Sequence, residues 1–352
     1  MKNKREITYG DAIKEAIHQS IENDPRVFIM GLGANYVSAP GLKNIHPDRV
    51  FDTPNSEFST TMACVGAALG GLRPIIHHDR VEFGLFAADS YLTQASKWNY
   101  SFGGDNPVPI VIRMVVGRQW GTGPQHSQSL YSMFGNTTGL KCVIPSTPEM
   151  AKGLLISAVE DNNPVIILEH LWLKGMKQNV STEYFKKPLD KVNVVCEGND
   201  ITVVAYGDGL IDSMKAVDMI KNTGIDVELI DLVSVNPIDY DSIIKSVKKT
   251  GRILTVDTCN DAFSIGSEII SNITTEVFDS LKYKPCKVSA PNVPVPTSHH
   301  LTKHYYPTKV TIANRILEIF GKERLNKELS FEELNFGPKE TVESLLEDKE
   351  TI

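Results

Sequence analysis

Short apolar runs alternate along this chain with longer stretches whose apolar positions recur at helical spacing. Ala12, Ile13, Ala16, Ile17 and Ile21 predict a first helix, with Thr8 or Asp11 as its cap and Asn23-Asp24-Pro25 as its end. Val27-Phe28-Ile29-Met30, closed by Gly31 and Gly33, predicts a buried strand, and residues 36–50 read as loop. Further strands are expected at 74–76, 108–114, 142–145 and 165–168. Helices are expected after Glu57, over 86–101, and over 148–160 with a proline in the first turn. The pattern pauses over 174–199, where charge rises and periodicity fades. It resumes with strands at 201–206, 226–232, 252–256 and 286–289 and helices at 211–222, 240–249, 267–281 and 310–320. From residue 321 onward the chain is strongly charged and is expected either to be solvated or to lie on a partner. Strands alternating with helices predict parallel sheets covered on both faces. The fold class is therefore α/β, with two doubly wound domains, the first built on a mostly parallel sheet. The boundaries read as 1–173 for the first domain, 174–199 for a linker, 200–322 for the second domain and 323–352 for the tail.

Composition narrows the function classes. The 352 residues are ample for two cores. The net charge of −7, from 43 acids and 36 bases, argues against nucleic acid, whose phosphates need a basic face. No apolar run reaches the roughly 18 residues of a membrane span. The basic N-terminus lacks the apolar stretch of a signal peptide, so a cytoplasmic location is expected. The five cysteines are scattered without a Cys-x-x-Cys pair, which points to neither a disulfide framework nor a zinc site.

Four places could carry chemistry. Asp52-Thr53-Pro54-Asn55-Ser56-Glu57 is a turn that delivers a carboxylate to the start of a helix rich in small residues. By itself Glu57 is equally a first-turn glutamate favoured by the helix dipole. His77 and His78 are adjacent, so on a strand they face opposite ways and make a poor metal pair. His126 follows a loop containing Gly117, Gly121 and Gly123, where it is either a surface histidine or a site group on a segment of close backbone approach. Gly207-Asp208-Gly209 ends a strand and opens a helix, with Asn236 downstream. It is similar to the Gly-Asp-Gly to Asn pattern that holds magnesium diphosphate, but a tight strand-to-helix turn explains it better. No Gly-x-Ser-x-Gly elbow accompanies Ser56, so no serine hydrolase is indicated.

With these residues in view the chain resembles the β subunit of thiamine-diphosphate-dependent 2-oxo acid dehydrogenases, the decarboxylating component, which is itself similar to the second and third domains of transketolase. The resemblance rests on Asp52-Thr53-Pro54-Asn55-Ser56-Glu57 followed by the Gly66–Pro74 run, on Gln125-His126-Ser127-Gln128, and on the stretch from Asp161 to Glu169. Lys249-Thr250-Gly251-Arg252 and Pro291–Pro296 look like the second domain's counterparts, so the resemblance spans roughly residues 5 to 320. It implies a pyrimidine-binding domain followed by a transketolase C-terminal-type domain. Glu57 is then the cofactor-activating glutamate, hydrogen-bonded to N1′ of the aminopyrimidine. Phe83 is the aromatic that stacks on that ring, and His126 approaches the substrate. No metal ligand is assigned to this chain, because the resemblance leaves the diphosphate and magnesium to an α subunit. An α₂β₂ heterotetramer is implied, with a lipoyl acyltransferase, an aldehyde or a sugar as alternative acceptors.

Two departures from the family pattern stand out. Met30-Gly31-Leu32-Gly33 lacks the glutamate that commonly follows the first strand, and His77-His78-Asp79-Arg80-Val81-Glu82-Phe83 stands where the family usually has Glu-Phe-Met-Thr-Phe-Asn-Phe, which is expected to add charge near the pocket. The leading expectation is 2-oxo acid decarboxylation with acyl transfer. The first alternative is the C-terminal half of a split transketolase-like enzyme moving a two-carbon ketol unit, which would suit a more polar substrate. The second is a scaffold subunit without catalysis.

Overall fold

The computed structural model describes residues 4–118 and 121–346. Six parallel strands form the body of the first sheet: β2 (Val27–Gly31), β3 (Val50–Asp52), β4 (Arg73–His78), β5 (Val111–Val116), β6 (Lys141–Val143) and β7 (Val165–His170), in the order β6-β7-β5-β4-β2-β3. Every residue of β5 and β7 is buried, as expected of central parallel strands covered on both faces. The Tyr9–Asn23 helix begins at its predicted cap, with the Thr8 side chain accepting from the Asp11 N–H. The Pro148–Glu160 helix has proline in its first turn and a Thr147 cap. These two helices pack together on one face of the sheet.

The stretch 174–199 contains two short edge strands. β8 (Lys177–Ser181) pairs antiparallel with β1 (Lys4–Thr8), and β9 (Asn193–Cys196) pairs antiparallel with β11 of the second sheet. That sheet orders β14-β13-β10-β11-β9, from β10 (Ile201–Ala205), β11 (Val227–Asp231), β13 (Ile253–Asn260) and β14 (Cys286–Ala290). Between β11 and β13 the chain sends β12 (Ser234–Asn236) across to the first sheet, where it pairs antiparallel with β6. Asn236 Nδ2 then donates to the Thr137 carbonyl at 2.7 Å. Each of the two large apolar clusters draws side chains from both sheets, so the domains share packed surface.

Two expectations are corrected. The 36–50 loop contains a wide helical turn at Ala34–Ser38, a short helix at Leu42–Ile45 and the start of β3. Gly33 and Gly41 open the two helical pieces in left-handed conformation, and neither piece is long enough to show a period. The charged tail, as far as residue 346, lies on its own chain. Ser330 and Glu333 form a capping box, Lys309 binds Glu333 at 2.7 Å, Lys215 binds Glu340 at 2.9 Å, and the Asn179 N–H donates to Glu343 at 2.8 Å. Two of its carboxylates are thus paired with second-domain lysines and a third accepts from a linker N–H, partners that a local reading cannot see.

Candidate active site

The carboxyl ends of β2, β3 and β4 converge, which is where open α/β sheets place their ligands. Gly31 makes the convergence possible: its φ is +156°, and a Cβ there would stand 2.4 Å from the His77 carbonyl oxygen. β3 ends at Asp52, whose Oδ1 accepts from the Asn35 N–H at 3.0 Å and so anchors the start of the turn. Glu57 is the first residue of the Glu57–Leu69 helix. Its half-buried side chain faces a narrow cleft lined also by Leu32, Thr60, His77, His78, Asp79 and Phe83. Glu57 and Phe83 are therefore brought together, although 26 positions separate them in sequence.

Phe83 sits in the Val81–Gly84 helical turn that follows β4. Its ring meets the His126 ring edge-on at 5.4 Å between centroids, with planes at 64°. The His126 loop is held against this turn by Glu82, whose Oε1 accepts from the Gln128 N–H at 2.8 Å. The Gly117 N–H donates to the Gln128 carbonyl at 3.1 Å. Gly117 is left-handed, and a Cβ there would collide with the His170 ring. Among the described residues His126 Nδ1 is buried with no hydrogen-bond partner, beside the aromatic wall. Glu82 was not singled out from sequence. Its only signal was its place next to Phe83, and its partner is a backbone N–H that sequence spacing does not reveal.

The extra charge expected of the His77–Phe83 segment does not come from its histidines. Both rings are buried, and burial pushes both pKa values down, that of His78 to about 4, so at neutral pH they are uncharged. His77 Nε2 lies 2.9 Å from Asp79 Oδ1, and His78 Nε2 lies 3.2 Å from Thr61 Oγ1. Burial opposes the Asp79 charge, but the His77 hydrogen bond and nearby cations outweigh it, and the Asp79 pKa falls below its ordinary value. The segment's charge therefore comes from Asp79, Arg80 and Glu82, and its two imidazoles are neutral.

Gly207-Asp208-Gly209 has another role. Asp208 is buried, 3.1 Å from His170 Nε2 and 3.9 Å from Arg118 Nε. His170 Nδ1 accepts from the Trp172 N–H, which leaves its Nε2 to carry the proton towards Asp208. The Arg118 guanidinium lies over the rings of Trp172 (3.8 Å) and Tyr306 (4.5 Å) and reaches Asp212 at 3.6 Å. Asp208 is thus part of an interdomain joint, with Arg118 as its counter-charge, and it borders a cavity lined also by Asp212, Lys215 and Lys309. The cleft, in contrast, offers a half-buried carboxyl group and a flat aromatic wall, donors suited to a planar heterocycle with a protonatable ring nitrogen.

The transketolase pyrimidine-binding domain matches residues 5–172, and the transketolase C-terminal domain matches residues 190–312. The chain is similar to the β subunit of acetoin:2,6-dichlorophenolindophenol oxidoreductase of Cupriavidus necator, with 36% identity over 88% of this chain and 96% of that protein. It is also similar to the pyruvate dehydrogenase E1 component β subunit of Gracilaria tenuistipitata var. liui, with 38% identity over 87% of this chain and 97% of that protein. A solved split-gene transketolase, described as an inactive β4 tetramer, superposes with a TM-score of 0.73 over 90% of this chain and 99% of that one. At 18% identity that likeness concerns the fold. No helix among the described residues is long and apolar enough to cross a membrane.

Proposed function

The chain belongs to the β subunits of thiamine-diphosphate-dependent 2-oxo acid dehydrogenases, and from that premise we propose that Glu57, Phe83 and His126 form the aminopyrimidine half of a site that an α subunit completes. The observation that carries this is the cleft itself: Glu57 and Phe83 line it together, and His126 packs edge-on against Phe83. When bound, thiamine diphosphate supplies an electron sink for cleaving the bond beside a carbonyl. Glu57 holds and shares the proton at the pyrimidine ring nitrogen, as a carboxyl group in hydrogen-bond reach can. Phe83 fixes the ring plane and excludes water from one face. His126 Nδ1, without a hydrogen-bond partner among the described residues, positions the substrate or moves a proton at its oxygen.

The diphosphate and magnesium belong to the α partner in this reading, most simply in an α₂β₂ heterotetramer. Asp208 already has a counter-charge in its own chain, the Arg118 guanidinium, and His170 stands beside it. The substrate is a 2-oxo acid, decarboxylated with transfer of its acyl unit, and a lipoyl acyltransferase is the expected acceptor partner. Acetoin is the second reading, favoured by the similarity to the acetoin oxidoreductase β subunit. Turnover assays of the αβ complex decide between them. Carbon dioxide release from a 2-oxo acid supports the first, and oxidative cleavage of acetoin without carbon dioxide supports the second. Ketol transfer between sugars would replace both.

A further inference from the structure

At a distance along the fold from the cofactor cleft, three side chains with metal-binding chemistry meet. His18 and Glu22 are one helical turn apart on the Tyr9–Asn23 helix and so project from one face. His46 closes the Leu42–Ile45 helix and precedes β3, on the side where that strand begins and not where it ends at the cleft. His18 Nδ1 lies 2.9 Å from His46 Nε2, and His18 Nε2 lies 3.8 Å from Glu22 Oε1. One ligand atom from each of the three lies within 4.8 Å of the others, the one such group of histidine, cysteine and carboxylate side chains found among the described residues.

We infer that His18, Glu22 and His46 form a binding site for a borderline divalent transition-metal ion, of which zinc is the type. Two imidazoles and one carboxylate are a donor set that zinc accepts, with water filling the fourth position. Two nitrogens each about 2.0–2.1 Å from a tetrahedral zinc stand roughly 3.3 Å apart. The two rings must therefore open by only a few tenths of an ångström to admit the ion between them. Binding requires both facing nitrogens to present lone pairs. The proton that now sits between them moves to the outer nitrogen of its ring; on His18 that nitrogen faces Glu22.

The backbone around His46 is already fixed. Its N–H donates to the Leu42 carbonyl at 2.8 Å, its carbonyl accepts from the Arg49 N–H at 3.1 Å, and Arg49 Nη1 donates to the Val27 carbonyl at 3.0 Å. Little ordering is left to oppose binding. The ion would tie the connection between β2 and β3 to the first helix. Both of those strands deliver groups to the cleft, so the tie would stiffen the frame beneath the cofactor without touching it.

The test is calorimetric titration of chelator-treated full-length chain with zinc chloride, paired with the visible spectrum of the cobalt-loaded chain. The expected result is one zinc per chain, cobalt bands characteristic of nitrogen and oxygen ligands in low coordination, and a zinc-dependent rise in Tm. His18→Ala and His46→Ala should each weaken uptake at least tenfold and abolish the rise in Tm, and Glu22→Gln should weaken uptake severalfold. His18 and Glu22 are partly exposed, so these variants keep the fold, which circular dichroism verifies. No uptake by the wild-type chain, or uptake unchanged in the His18→Ala and His46→Ala variants, overturns the assignment. The second outcome would place the ion elsewhere, as at the adjacent His299 and His300.

Discussion

Two strand-to-helix turns in this molecule look alike in sequence and differ in structure. Each sets an acid in the first turn of a helix, Glu57 after β3 and Asp208 after β10. Glu57 is half-buried, faces a cleft and has an aromatic wall opposite it. Asp208 is 2% exposed, is flanked by His170 and Arg118, and borders a cavity between the second-domain helix it begins and the tail. The same local geometry thus serves as half of a reaction site in one domain and as a joint between domains in the other. What separates them is which neighbours arrive from elsewhere in the chain. Glu57 faces its cleft with an aromatic ring across from it, whereas Asp208 has a guanidinium and an imidazole beside it.

The largest expected effect tests the Glu57 turn. Glu57→Gln keeps the shape but cannot share a proton in the same way, so turnover of the αβ complex should fall by about 100-fold or more, the scale of a lost acid–base group. Tm and assembly should stay at wild-type values. Near-wild-type turnover would remove Glu57 from its role. The Asp208 turn should respond in the opposite sense. Asp208→Asn leaves Arg118 with only Asp212 beside it, and we expect a loss of stability of about 3 kcal/mol, the low end for removing one partner of a buried ion pair. This would be read from denaturant unfolding, with the pyrimidine-end chemistry of the still-folded fraction retained. Undiminished stability together with lost cofactor affinity would instead make Asp208 a ligand.

The smallest effect concerns pH and the base of the same joint. Ser146 Oγ donates to Asp231 Oδ1 at 2.8 Å and accepts from the Gly207 N–H at 2.9 Å. Burial raises the Asp231 pKa to about 7, while its hydrogen bonds from Ser146 and Val233 hold it lower than burial alone would. The folded chain therefore binds this proton more tightly than the unfolded chain. Stability from this group is greatest in acid, declines as pH rises from the ordinary carboxylate range towards 7, and levels off above that. Asp231→Asn should raise stability by about 2 kcal/mol near pH 8 and leave it unchanged near pH 4, measured by Tm across pH. A gain independent of pH would contradict the shift.

Much of the architecture was legible because its signals are local. The helix from Pro148 to Glu160 carries its own cap, its proline and its apolar stripe. The central strands of the first sheet are mostly apolar because both faces are covered, with Arg113 and Glu169 as a buried pair among them. The elements that were not legible depend on partners: β8 and β9 are short edge strands with exposed polar residues, and β12 is defined by a register with β6, nearly a hundred positions away in sequence. Within the site, Glu57, Phe83 and His126 stood out through motif resemblance. Glu82 did not, because what it does is accept one backbone N–H.

By itself, then, the chain's order of apolar and polar residues determined the α/β alternation, most strand and helix positions, and the motif that places a carboxylate ahead of a helix. These follow from short-range periodicity and turn chemistry, which each segment carries alone. Only the tertiary structure decided that His77 and His78 are neutral, that the charged tail lies on its own chain, and that Asp208 is paired with a guanidinium while Glu57 faces an aromatic wall. Desolvation, charge pairing and access depend on which distant residues surround a group, and no window of sequence contains that information.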